Sequence, residues 1–205
     1  MRLYYADIRG LDESKALYPP ISKSRGSAFG VSLLALAYED YNSATMPLIK
    51  KLASGKPWFP GNPGFHFSIS HSRTHVLCAV SKRPVGADTI DHRNISSAVI
   101  EKLTTAEELE ALSFFEIWAL RESLFKLDGE GDLRTMRFIK RDGKIIPPVP
   151  GVKCRLYGDI DGSSVAVSTR EGVFPKKLIK IPSEKLLREE NKLTRMMEKE
   201  KNEPL

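Results

Sequence analysis

The sequence predicts an α+β fold made of two similar α/β halves, residues 1–98 and 99–182, followed by a charged tail at 183–205. Three observations carry this reading. Helical and strand patterns follow in the order helix, strands, linker, helix, strands, with the linker around residues 93 to 104. The strand-closing segment Ala79-Val80-Ser81-Lys82-Arg83 recurs with one mismatch as Ala166-Val167-Ser168-Thr169-Arg170, as a duplication would leave it. The chain has 205 residues, 41% of them hydrophobic, enough for one substantial core or two small ones.

Residues 3 to 8 alternate as a strand does, and Ser27 to Tyr41 reads as a helix with Phe29, Leu33, Leu34 and Leu36 as its apolar positions. Gly55 to Gly64 contains three prolines and is expected to be a loop. Phe65, Phe67 and Ile69 alternate with His66, Ser68 and Ser70, the pattern of a strand with one face in solvent. Val76 to Val80 forms the next strand, with a hairpin turn around Ser70-His71-Ser72-Arg73-Thr74. Thr105 to Leu127 reads as one long helix, capped by Thr105 and with Glu107 and Glu108 at its positive end. From Ser183 onward Lys, Arg and Glu dominate, with a partial stripe of Leu186, Leu187, Leu193, Met196 and Met197, so a solvated helix is expected there.

Composition narrows the function. Charged residues make up 28%, so the chain is expected to fold. No apolar run approaches the roughly 20 residues of a membrane span, and the first residues lack a signal-peptide block, which predicts a cytoplasmic protein. Cys78 and Cys154 sit in separate apolar strands, so two buried thiols are expected rather than a disulfide, and no zinc pattern occurs. The net charge of +6 favours an anionic partner. The basic residues are scattered without interleaved aromatics, which argues against nucleic acid.

The residues that could carry chemistry each have an ordinary reading. Asp88, in Val85-Gly86-Ala87-Asp88, fits a turn or a cap; His71 fits a turn. Trp118, Glu122 and Lys126 step by four residues and share one helix face, with Phe114 a turn earlier, and Glu122 with Lys126 would make a favourable surface ion pair. Arg121 adds a cation beside them, and Gly129-Glu130-Gly131 gives the chain a flexible bend after the helix. A hydrolase built on Ser70 or Ser72 with His71 is disfavoured, because neighbours on a turn do not face each other and no Gly-x-Ser-x-Gly elbow is present.

Taken together, Gly55-Lys56-Pro57-Trp58, Phe65 through Ser72, Val85 through Asp88 and Trp118 through Gly131 resemble, in order and approximate spacing, the 4'-phosphopantetheinyl transferase superfamily. The likeness is to its pseudo-dimeric type, named after the surfactin-synthetase activator, and covers about residues 55 to 131. It implies two α/β halves with the active site between them and coenzyme A as substrate. The phosphopantetheine arm would pass to a serine of an apo acyl- or peptidyl-carrier protein, with release of adenosine 3',5'-bisphosphate. Asp88 and Glu122 would hold Mg²⁺, which favours a few carboxylates completed by phosphate and water. Glu122 is then the general base, with Lys126 holding phosphate or serving as the base instead. Lys56, Ser70, His71, Asp88 and Lys126 would contact coenzyme A, and Lys23 and Arg25 its 3'-phosphate. A duplicated chain completes such a cleft alone, so a monomer is expected.

Two positions depart from the family pattern. Gly-x-Asp-x-Glu is replaced by Gly86-Ala87-Asp88-Thr89-Ile90, and the next acid, Asp91, comes one residue late. On a strand that step points it to the opposite face, unless a bulge returns it, and an extra water at the metal is the expected substitute. Arg121 stands where lysine is common. The apolar Ile90 also keeps open a non-catalytic module that binds coenzyme A or a carrier protein.

Overall fold

In the computed structural model, which describes residues 1–158 and 160–188, two helices sandwich two antiparallel-rich sheets in an α, β, β, α layering. The α+β class expected from the sequence is observed. The first sheet contains β1 (Arg2–Asp7), β4 (His66–His71), β5 (His75–Ser81) and β11 (Ile179–Lys180), in the order β11-β1-β5-β4. The second contains β6 (Val85–Asp91), β9 (Lys153–Tyr157) and β10 (Ser163–Thr169), in the order β6-β10-β9. Two short hairpins, β2 (Lys50–Lys51) with β3 (Pro57–Trp58) and β7 (Ile139–Arg141) with β8 (Lys144–Ile146), stand apart from these sheets.

The layering follows from strand alternation. In the first sheet Tyr4, Ala6, Val76, Cys78 and Val80 pack with Phe29, Leu33 and Leu34 of α1 (Ser27–Asn42). Their neighbours Leu3, Leu77 and Ala79 turn the other way and meet Val85, Ala87, Val165 and Val167 of the second sheet. On the far face of that sheet Ala166 packs with Ile117, Leu120 and Leu124 of α4 (Phe114–Asp128). Both faces of β5 are covered, so all seven of its residues are buried.

Several sequence expectations change here. The single helix over 105 to 127 is two: α3 (Ala106–Leu109) and α4, preceded by α2 (Ser97–Leu103). Thr105 does cap α3 through a reciprocal box with Glu108, but Ser113 and Glu116 make a second box that starts α4 afresh. An N-cap residue has extended backbone, so each box breaks the helix before it.

The two serines of β4 do not face solvent. Ser68 and Ser70 are buried and bind β6, a strand of the other sheet: Ser68 Oγ accepts from Ala87 N at 2.9 Å and Ser70 Oγ from Thr89 N at 3.2 Å. The seam between the sheets is closed by hydroxyls where backbone pairing is absent.

The expected solvated helix from Ser183 is replaced, over residues 183–188, by a 3-10 turn whose Leu186 is fully buried in the first core. Burying a leucine contributes about 1.5–3 kcal/mol. Leu17 N donates to Leu186 O, and Arg188 N to Lys15 O, so this segment is tied to the start of the chain. The remaining expectation for the tail, including Leu193, Met196 and Met197, lies outside the described residues.

Candidate active site

The site forms where β6 meets α4, and glycine sets their distance. An added Cβ on Gly86 would lie 2.0 Å from Ser123 O and 2.4 Å from Leu127 N, both backbone atoms of α4. Strand and helix touch main chain to main chain there, which only glycine permits. Two residues further along the same face of β6, Asp88 therefore points at the helix surface that carries Trp118, Glu122 and Lys126.

These four residues line one cleft of about 620 Å³, together with Ile69 through Arg73, Thr89, Ile90, Asp91 and Arg93. The shared face expected from the four-residue spacing is present. The surface ion pair between Glu122 and Lys126 is replaced by a bond across the cleft: Lys126 Nζ donates to Asp88 Oδ1 at 2.6 Å. Ser70 Oγ donates to the same oxygen at 2.6 Å. Asp88 is thus neither a cap nor a turn residue; it is a 6% exposed carboxylate fixed by a cation and a hydroxyl.

Burial, and after it the negative charge of Asp88, raises the Glu122 carboxyl above its ordinary value, opposed by the Lys126 ammonium. Burial, reinforced by Lys126, lowers the His71 imidazole. The cleft lining holds three carboxylates, Asp88, Asp91 and Glu122, against three cations, Lys126, Arg73 and Arg93, with Asp88 and Glu122 as the two acids at the β6–α4 contact. Among the described residues no group of three or more His, Cys, Asp or Glu side chains could hold a metal, so Asp88 and Glu122 would need ligand or water oxygens to complete a shell. Magnesium accepts that arrangement readily.

The other expected residues distribute over adjoining hollows. Lys56 lines a neighbouring pocket of about 240 Å³ that shares Ile69 and Lys126 with the cleft; its Nζ donates to Leu127 O at 2.8 Å, and burial lowers its ammonium. Arg25 lines a third hollow of about 520 Å³, joined to the cleft through His71, Ser72 and Arg73. Lys23, on the exposed bend before α1, lines none of these three.

Arg121 does not belong to the cation cluster. Rotated about 100° from Glu122 on the helix, it is fully buried and binds Glu108 Oε1 and Oε2 at 2.9 Å and Leu103 O at 2.6 Å. Glu108, expected at the positive end of one long helix, is equally buried and also accepts from Phe138 N at 3.1 Å.

The Asp91 carboxylate does not join that of Asp88. The β6–β10 register runs without a bulge from Thr169↔Val85 to Ser163↔Asp91. Asp91 points away from α4 and accepts from Ser163 Oγ at 2.9 Å, Arg73 N at 3.0 Å and the Thr74 hydroxyl. Ile90 and Asp91 both contribute to the cleft wall, but the Asp91 carboxylate is spent on these three partners. Arg73 and Arg93 are the cleft residues that sequence reasoning passed over; the signal for Arg73 was its place directly after Ser70-His71-Ser72.

No protein-family model matches the chain. Among curated proteins it is 28% identical over 152 residues to the 4'-phosphopantetheinyl transferase Sfp of Bacillus subtilis (strain 168), covering 65% of this chain and 67% of that one. It is 35% identical over 88 residues to the 4'-phosphopantetheinyl transferase psf-1 of Bacillus pumilus, covering 38% of each chain. To the 4'-phosphopantetheinyl transferase gsp of Aneurinibacillus migulanus it is 34% identical over 94 residues, 41% of this chain and 39% of the other. These matches span between 38% and 67% of the relatives' own lengths. The chain is therefore similar to several curated 4'-phosphopantetheinyl transferases, Sfp of Bacillus subtilis among them.

Proposed function

We propose that this chain transfers the 4'-phosphopantetheine group of coenzyme A to a serine hydroxyl of an apo acyl- or peptidyl-carrier protein, in a Mg²⁺-dependent reaction that releases adenosine 3',5'-bisphosphate. The observation that carries this reading is the convergence of Asp88, Glu122 and Lys126, from a strand and a helix 34 residues apart in sequence, on one cleft. The kinship with transferases that bear that name supports it.

Asp88 and Glu122 would hold Mg²⁺, whose bound form neutralises negative charge on phosphate oxygens. Ser70 keeps the Asp88 carboxylate oriented toward α4. Lys126 is placed to clamp a phosphate oxygen beside it. Glu122, whose carboxyl is raised by burial and by Asp88, takes the proton of the incoming serine as its oxygen attacks the pantetheine-bearing phosphorus. The bond from that phosphorus to the bridging oxygen breaks, and adenosine 3',5'-bisphosphate departs. Lys126 is the alternative base. His71, Lys56, Arg25 and Lys23 serve the nucleotide end.

In this reading the halves 1–98 and 99–182 form a pseudo-dimer around the cleft, with 183–205 as an appended segment, and the chain works as a monomer in the cytoplasm. The net charge of +6 suits an acidic carrier rather than nucleic acid. Among the described residues no helix is long and apolar enough to cross a membrane. Ile90 at the cleft wall favours one second reading, a binding module without turnover.

Intact-protein mass spectrometry of apo carrier proteins incubated with this chain, coenzyme A and Mg²⁺ decides between the two. The expected result is a gain of one phosphopantetheine that is lost with EDTA and in Asp88→Ala and Glu122→Ala. Turnover retained in both variants overturns the site assignment. Coenzyme A binding with no mass gain on any carrier establishes the binding module.

A further inference from the structure

Asp88 holds two donors on one oxygen. Lys126 Nζ and Ser70 Oγ each reach its Oδ1 at 2.6 Å, and the carboxylate that receives them is buried. The hydroxyl is fixed in place, because Ser70 is buried as well and its Oγ also accepts from Thr89 N. The lysine is not fixed in that way. Its side chain is 28% exposed and borders two cavities, the carboxylate cleft and the smaller pocket that holds Lys56.

The other acids of the lining differ from Asp88. Asp91 is spent on Arg73 N, the Thr74 hydroxyl and Ser163 Oγ. Among the described residues no hydrogen bond or ion pair holds Glu122. A divalent cation drawn to Asp88 and Glu122 therefore competes with an ammonium already bonded to one of them. Ile90, on the same wall, adds no carboxylate to weigh against that ammonium.

A carboxylate this far from water is not left bare at low cost, since removing one partner of a buried pair leaves an uncompensated charge. Asp88 thus favours one cation or another at its side. Lysine carries a compact charge on a flexible stem, so Nζ can leave Oδ1 for a phosphate oxygen without movement of α4.

We propose that Lys126 is an internal counter-ion that stands in for the divalent cation at Asp88, and that its ammonium gives way to the metal when the donor's diphosphate offers it another anion. The inference rests on the transferase reading, and adds that Lys126 opposes metal binding in the free chain. Metal and diphosphate then each bind better in the presence of the other.

The test is Mn²⁺ binding to the full chain, read from the electron paramagnetic resonance of the unbound ion, with calorimetric titration of coenzyme A in EDTA as the second readout. Neither needs turnover. Lys126→Met keeps a long side chain and a good helix former on α4, and Lys126→Gln is an independent uncharged replacement. Both are expected to bind Mn²⁺ about tenfold more tightly than the unaltered chain and coenzyme A about tenfold more weakly, the scale of one charge-assisted hydrogen bond. Lys126→Arg keeps the charge and should stay near the unaltered chain for Mn²⁺. Adding Asp88→Asn to Lys126→Met should abolish the gain. A residue that only supported the fold would lose both ligands together. If Mn²⁺ binding does not tighten, if the gain survives Asp88→Asn, or if coenzyme A binding does not weaken, the exchange is overturned. The transferase reading, which the mass gain on a carrier decides, then stands. If no form of the chain binds coenzyme A, the transferase reading falls and this inference with it.

Discussion

Replacing Gly86 with alanine tests the contact on which the whole cleft depends. The new methyl would sit 2.0 Å from Ser123 O and 2.4 Å from Leu127 N, and neither backbone atom can rotate away as a side-chain tip would. Reaching an ordinary contact near 3.4 Å requires α4 to back off β6 by more than 1 Å. Overpacking of this kind costs about 3 kcal/mol or more when main chain must move, and for a chain of this size that lowers Tm by roughly 6–12 °C. The Lys126 to Asp88 bond, 2.6 Å long, would open beyond hydrogen-bonding distance. On the proposed function, misplacement by about 1 Å is expected to cost on the order of a hundredfold in turnover. Urea denaturation followed by the fluorescence of Trp58 and Trp118 measures the first effect, and mass-resolved transfer to a carrier the second. A Gly86→Ala protein within about 0.5 kcal/mol of the parent, the range of an ordinary surface change, would show that β6 and α4 are not in main-chain contact.

Two further outcomes follow from buried groups. Arg121→Ala leaves Glu108, itself 1% exposed, without its main partner, so a loss of about 3–5 kcal/mol is expected in urea denaturation. Arg121→Lys should lose less, and Arg121→Ala costing no more than a surface change would refute the buried pair. Cys78 and Cys154 should be inert to a thiol reagent in the folded chain at pH 8 and react fully in urea, because burial raises both thiols, that of Cys154 to about 11. Fast labelling of either in the native state would contradict their packing.

What the sequence by itself determined is what depends on local periodicity. The helical repeat put Trp118, Glu122 and Lys126 on one face before any fold was known, and the two-residue repeat of a strand turned Asp91 away from Asp88. Both follow from backbone geometry within a few residues. The start of α4 was legible too, in Ser113-Phe114-Phe115-Glu116, although the longer apolar pattern from Thr105 concealed it.

Only the tertiary structure decided which partner each side chain meets. Ser68 and Ser70 read as a solvent face because alternation reports polarity and not surroundings; the second sheet covers them, and they close its seam. Arg121 read as a site cation because it precedes Glu122, yet one step on a helix turns it into the core against Glu108. Lys126 chose Asp88, 38 residues away, over Glu122 one turn before it. The return of residues 179–188 to β1 and the first core left no local mark at all. Such contacts join residues far apart in sequence, and their free energy depends on packing that exists only once the layers have assembled.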